Sequence, residues 1–330
     1  MTTDGHPARH VPRAALCATA AAAVLALLTA CGSSSGTIAT PAAGGTSASG
    51  PGAASTALPT QDVVSGIQAD PALKAELPKA IQTRGTLILG TTQAVGTSGL
   101  PHAGVDASGT TVGLDVDLRN AVAKVLGVTF DVQYGTFPTV IPGVQNGRYD
   151  VGQDNFGATK AREQVVDFTT YLNDGQSFLG AKDIKTDSVT GLTGLCGYNV
   201  ATSPGTTFQQ ILTKGASTCA AAGKSPYTVQ YFADTAPIFL GLENGKEDIY
   251  FGPTLSLKYD ALHLPDTKYL GQISSTPVGF VTAKGSPIAK ALRDAVNQLI
   301  ADGDYARILA KWGVTGTGVT SSVVDPPTTF

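Results

Sequence analysis

Charge is scarce in this chain. Only 14% of its 330 residues are Asp, Glu, Lys or Arg, and the formal net charge is −3. A nucleic-acid binder carries a basic excess to meet phosphates, so the balance argues against that class. No run of like charge forms an acidic or basic tail. Histidine and cysteine are few, four of each. His6, His10, His102 and His263 are scattered, and neither C-x-x-C nor H-E-x-x-H occurs, so no metal site and no cofactor is expected. What is present is length enough for two ordinary domains, 42% hydrophobic residues and 39 glycines.

The shortage of charge is most severe at the amino end, where residues 14 to 61 contain no Asp, Glu, Lys or Arg at all. Arg9 and Arg13 precede a 17-residue apolar run from Ala14 to Ala30. A positive start and an apolar core fit a secretory signal, and the run is short of the ~20 residues that span a bilayer. It ends in Leu28-Thr29-Ala30-Cys31-Gly32, which resembles the bacterial lipoprotein signal, in which the cysteine is lipidated after cleavage. Residues 1–30 are therefore expected to be a signal peptide and Cys31 a lipid anchor. Residues 31–61, rich in Gly, Ala, Ser, Thr and Pro, cannot bury enough apolar area to offset chain entropy and are expected to be a flexible tether. Gly32-Ser-Ser34-Ser-Gly36 fits G-x-S-x-G, but with no strand before it and no helix after it, it is rejected as a nucleophile elbow.

Cys17 lies in the signal core, so Cys196 and Cys219 remain as a pair in an exported chain. Oxidising surroundings permit a disulfide between them; two buried free thiols are the alternative.

The body alternates strand and helix. Thr86–Thr91 reads as a buried strand, Leu118 to Leu126 as a helix closed by Gly127, Val128–Tyr134 as a strand, and Phe137–Asn146 as a helix ended by Gly147. Tyr149–Gly152 is a strand, Lys160–Gln164 a helical turn or two, and Val166–Tyr171 extended. The pattern then repeats. It runs from a strand at Tyr198–Thr202, through a helix opened by Gly205 and a strand at Tyr227–Phe232, to a helix N-capped by Asp234 and a strand at Glu247–Phe251. A strand at Val278–Thr282 and helices at Pro287–Ile300 and Asp304–Trp312 finish it. Alternating βα units imply α/β lobes with largely parallel sheets, and a cleft between two of them is the default ligand site.

Gly113-Leu-Asp-Val-Asp117-Leu, Phe137-x-x-x-Ile141-Pro-x-x-x-x-Gly147-Arg-Tyr-Asp150, Ala158-Thr-Lys-Ala-Arg162-Glu, Val166-Asp-Phe168-Thr and the ending Ala301-Asp-Gly303-Asp-Tyr305-x-x-Ile-Leu-x-Lys311-Trp-Gly occur in that order. Over residues 80 to 315 the chain resembles bacterial extracellular solute-binding proteins of family 3, the polar amino-acid type that serves ABC importers. The resemblance implies a two-lobed periplasmic-binding-protein-like (type II) α/β fold with a hinge and an interlobe cleft. Lobe 1 would comprise 80–177 plus 277–330 and lobe 2 178–276, with crossings near Gly175–Gly180 and Ser274–Gly279. It also implies a monomer on the outer face of the cell membrane, an ABC permease as partner and a small amino acid or related carboxylate as ligand.

On the same resemblance Arg162 matches the arginine that grips the ligand carboxylate, a role suited to a planar guanidinium fork. Thr206 and Thr207, after Gly205 at a helix start, match a second grip on that carboxylate, though plain capping by hydroxyls also explains them. Phe137 matches an aromatic that packs on ligand side chains. Asp154, Asn155 and Gly157 lie in a loop whose backbone contacts ligand, and where the family places small hydroxyl residues this chain puts a carboxylate. Two departures stand out. Gly252-Pro253-Thr254 replaces the usual ammonium-binding acid near Pro253, and Thr92-Gln-Ala-Val95 lacks the usual aromatic. Asp154 is then the candidate partner for an ammonium. A different class of function stays open: a cleft enzyme on this scaffold, similar to the cyclohexadienyl dehydratases, with Asp154 as its acid, or a ligand-sensing receptor.

Overall fold

The computed structural model describes residues 57–328. The signal at 1–30, Cys31 and residues 31–56 of the tether lie outside the described residues. Two short helices come first, α1 (Pro71–Glu76) and α2 (Lys79–Arg84), which the sequence reading left unassigned. Asp70 caps α1, its carboxylate accepting from the amides of Ala72 and Leu73. Ile67, Leu77 and Ile81 bury against the core that follows, which gives these helices the apolar contacts a six-residue helix needs to persist.

The first half is built from β1 (Thr86–Thr92), a two-strand ribbon of β2 (Gly104–Val105) and β3 (Thr111–Val112), α3 (Leu114–Val125), β4 (Thr129–Gly135), α4 (Phe137–Gln145), β5 (Val151–Gly152) and α5 (Lys160–Glu163). The chain then enters β6 (Val166–Ala181), a 16-residue strand. The second half follows as β7 (Asn199–Thr202), α6 (Thr207–Lys214), α7 (Thr218–Ala221), β8 (Thr228–Tyr231), α8 (Ala236–Glu243), β9 (Ile249–Pro253) and α9 (Thr254–His263). A 17-residue strand, β10 (Thr267–Ala283), returns, and α10 (Pro287–Ala301) and α11 (Asp304–Lys311) close the chain.

One eight-stranded sheet runs β4-β1-β5-β10-β6-β9-β7-β8. β1 pairs in parallel with β4 and β5, and β7 in parallel with β8 and β9. Between the two parallel sets lie β6 and β10, antiparallel from Val166↔Ala283 to Ala181↔Thr267. At one end β10 touches β5, and at the other β6 touches β9, so both long strands run through both halves. Parallel βα units explain why the sequence alternated.

The apolar clusters divide the same way. Two draw only on residues from Phe178 to Leu270. The others draw on residues 67–172 and 278–314, joined by Leu255. In α10, Ile288, Ala291, Leu292, Ala295, Val296 and Leu299 are buried at helical spacing, so the carboxyl-terminal helices pack on the first half.

Three sequence readings are corrected. Asp234 does not cap α8: Thr235 stands at the N-cap, and no side chain bonds the first turn. Pro237 in that turn has no N–H for a cap to engage. The extended segments are longer than read, β6 continuing ten residues past Tyr171 and β10 beginning at Thr267. Helix α9 was missed. Its residues Thr254, Leu255, Ser256, Leu257 and Asp260 are all buried, so no polar face marks its period.

Cys196 and Cys219 are joined in the second half, with Cα atoms 5.5 Å apart and a sequence separation of 23. Closing a loop of that length in the unfolded chain is worth about 3 kcal/mol. Reduction, or Cys196→Ser with Cys219→Ser, is expected to lower the unfolding free energy by about that much in urea titration. An unchanged midpoint at unchanged slope would show that the bond contributes nothing.

Candidate functional site

A cleft of about 720 Å³ opens beyond the carboxyl ends of β1, β4 and β5 and extends to the amino end of α6. Open α/β sheets leave such crevices where the strands end. Phe137, Asp154, Asn155, Gly157, Arg162, Thr206 and Thr207 all line it. Residues up to 70 apart in sequence, Phe137 and Thr207, are thus brought to one place. Cys196 and Cys219 are not among its lining residues.

Arg162 sits in α5, a single turn capped by the Thr159 hydroxyl, which accepts from the Arg162 amide at 3.2 Å. The side chain is 9% exposed. Its Nη1 donates to the Gly157 carbonyl at 2.8 Å and its Nη2 to the Gly205 carbonyl at 2.9 Å. The rings of Phe137 and Phe156 face the guanidinium at 5.6 and 5.8 Å, and themselves pack at 4.7 Å. Burial lowers its pKa to about 10, which leaves it charged at neutral pH. No carboxylate among the described residues pairs with it. A guanidinium has five N–H donors, so most of its capacity remains for another acceptor.

The bond from Arg162 to Gly205 crosses from the first half to the second, and so do two others. Ser256 Oγ donates to the Gly99 carbonyl at 3.2 Å, and the hydroxyls of Ser98 and Thr235 lie 3.4 Å apart. The two halves are therefore closed on each other. Gly157 fits this closeness: a Cβ there would stand 3.0 Å from Thr276 Cγ2 and 3.7 Å from Thr207 Cγ2.

Thr206 spends its hydroxyl on structure. It accepts from the Gln209 amide at 3.2 Å and donates to the Ser203 carbonyl at 2.7 Å. Thr207 and Phe208 open α6, and their amides have no carbonyl four residues back within the helix. Those amides and the helix dipole favour negative charge at this end of the cleft.

Opposite lies an acidic group of side chains. Thr92 Oγ1 donates to Asp154 Oδ1 at 2.8 Å, while Asp154 Oδ2 is buried with no partner among the described residues. Burial pushes the Asp154 pKa up to about 7. Asn155, at φ 49°, occupies the left-handed region that asparagine tolerates better than most residues, and its amide donates to Asp174 Oδ2 at 2.9 Å.

Sequence reading missed His102, Asp115, Arg119 and Asp174, which also line the cleft. His102 Nε2 lies 3.0 Å from Asp174 Oδ2 and Nδ1 lies 3.4 Å from Asp115 Oδ2. Burial alone would lower the His102 pKa. Attraction and hydrogen bonding to Asp115, joined by Asp174, raise it to about 10, so the ring is an imidazolium. Asp174 lies on β6 near the middle of the long strand pair, and its Oδ1 also accepts from the amides of Gly175 at 2.7 Å and Leu255 at 3.2 Å. Asp115 stood inside a motif that the sequence reading quoted, but nothing in one strand of sequence sets it beside His102.

Residues 93–315 match the model of the bacterial extracellular solute-binding proteins, family 3. The chain is 30% identical over 253 residues to an arginine-binding protein of Corynebacterium glutamicum, covering 74% of this chain and 79% of that one. Among solved structures, an ancestral arginine-binding protein bound to arginine superposes with TM-score 0.61 at 30% identity, over 69% of this chain and 98% of that one. The ancestral amino acid-binding protein described as a precursor of cyclohexadienyl dehydratase superposes with TM-score 0.62 at 27% identity, over 71% and 97%.

Proposed function

The chain belongs to the bacterial extracellular solute-binding proteins of family 3, and from that premise we propose that its closed cleft captures a small amino acid or related carboxylate for an ABC importer. The observation that carries this reading is Arg162: a buried cation with no acid partner among the described residues, reaching from one half of the fold to the other. The ligand carboxylate takes the free face of the guanidinium and the amides of Thr207 and Phe208. One anion then contacts both halves, which is a physical reason for closure: a ligand shifts a conformational equilibrium only by its differential contacts with the two states. Asp154, with its free Oδ2, receives the ammonium in place of the acid missing near Pro253. Phe137 stacks on Arg162 and borders the ligand.

Lobe 1 is assigned to 80–177 plus 277–330 and lobe 2 to 178–276, a division supported by the split of the apolar clusters. The protein acts as a monomer held to the outer face of the membrane by lipid on Cys31, and its partner is the importer's permease. An enzymatic role is less well supported, since relatives such as the arginine-binding protein of Corynebacterium glutamicum are named as binding proteins.

The test is thermal unfolding of the full chain with each common amino acid. A binder at one hundred times its Kd adds about 2.7 kcal/mol and raises the melting temperature. A flat response to all of them would overturn the reading.

A further inference from the structure

We propose that Arg119 contacts the ligand and selects a solute whose far end carries an oxygen acceptor, a side-chain carboxylate or carboxamide. This rests on the carboxylate reading of Arg162 and adds a second anchor to it. Arg119 lies on α3 one turn after Asp115, in a helix whose other buried members include Leu118, Ala121, Val122 and Val125. It is only 6% exposed and lines the cleft. It makes no hydrogen bond or ion pair with any described residue. Asp115, the acid that acts on it electrostatically, is turned to His102.

Burying an unpaired cation is costly, and the cost is recovered only when an acceptor arrives. The charges around the cleft leave that place open. His102 lies between Asp115 and Asp174, and these two carboxylates together offset the charges of His102 and Arg119. Arg162 takes one carboxylate and Asp154 an ammonium. Arg119 is the cation whose N–H groups find no acceptor among the described residues. A ligand oxygen at the far end would give it charge-assisted hydrogen bonds in a site shielded from water. A basic side chain would instead bring N–H donors against the donors of the guanidinium and leave Arg119 without an acceptor. The buried acceptors Asp115 Oδ1 and Gln153 Oε1 also lack partners among the described residues and suit the N–H groups of a carboxamide. Selectivity would thus differ from that of the relatives named for arginine.

The experiment is calorimetric titration of the full chain in mild detergent with glutamate, glutamine, arginine, lysine and alanine, for the parent, Arg119→Met and Arg119→Lys. Glutamate or glutamine is expected to bind best, and the winner tells carboxylate from carboxamide. Arg119→Met is expected to weaken that ligand by about ten- to a hundredfold, with Arg119→Lys between the two and alanine, which lacks a far-end oxygen, unaffected. Ligand-free Arg119→Met is expected to keep cooperative unfolding near the parent temperature, because Arg119 gives no hydrogen bond to any described residue. A variant that melts lower and weakens alanine as well would mark Arg119 as structural and overturn the proposal. So would arginine or lysine binding as tightly as glutamate and glutamine. Silence from all five ligands, alanine included, would remove the carboxylate reading and this one with it.

Discussion

Arg162→Ala is expected to abolish ligand-induced stabilisation. A charge-assisted hydrogen bond contributes about 1.5–3 kcal/mol net, and a guanidinium meets a carboxylate with two of them. Losing the pair weakens binding by roughly a hundredfold to ten-thousandfold. The ligand-free fold is affected far less. Arg162 there bonds two backbone carbonyls and packs on Phe137 and Phe156, but neutralises no acid among the described residues. The variant therefore unfolds cooperatively near the parent temperature, yet no longer responds to ligand. Arg162→Lys keeps the charge and loses the fork, so it falls between them. Binding by Arg162→Ala as tight as that of the parent, in calorimetry at matched pH, would show that the carboxylate sits elsewhere.

The second large effect is a dependence of affinity on pH carried by Asp154. Burial holds its carboxyl at about 7 against an ordinary value of 3.8. A folded-state value above the unfolded one means that, between those two pH values, the folded protein keeps a proton that the unfolded chain has released. Stability therefore falls as pH rises through that window, and the penalty is constant above it. A ligand ammonium binds the ionised carboxylate, so below about pH 7 binding must expel the proton. Affinity is expected to climb from pH 5 to 7, by up to about tenfold per unit, and to level off beyond. Asp154→Asn is expected to bind weakly with no such slope, and to be more stable than the parent without ligand at pH 8, the two converging below pH 4. Titrations at pH 5, 6, 7 and 8 decide it: a parent affinity constant across them rules out Asp154 as the ammonium partner.

Much of this molecule was legible along the chain. Strands and helices alternate with periods of two and 3.6 residues because each buries one face against a sheet, and that periodicity survives in the order of residues. The helical turn that holds Arg162 was legible at Lys160–Gln164, and counting left Cys196 and Cys219 as either a disulfide or two free thiols, of which the fold forms the disulfide. Helix α9 did not show, because burial on most sides leaves no polar stripe. The early part of β10 did not show either, since Gly271, Ser274, Ser275 and Pro277 carry little strand signal and only pairing with β6 extends them.

What the sequence by itself determined is the set of local elements and the residue types available to a site: an arginine in a helical turn, a carboxylate where small hydroxyls are usual, a helix opening on two threonines. Tertiary structure alone decided which of them share an environment. His102, Asp115 and Asp174 come from a loop, a helix start and the middle of a long strand. Arg119 differs from an ordinary helix arginine because the fold buries it with no hydrogen bond or ion pair among the described residues. Ionisation and affinity depend on distance and on exclusion from water, and both are set by packing between segments far apart in the chain, which residue order does not encode locally.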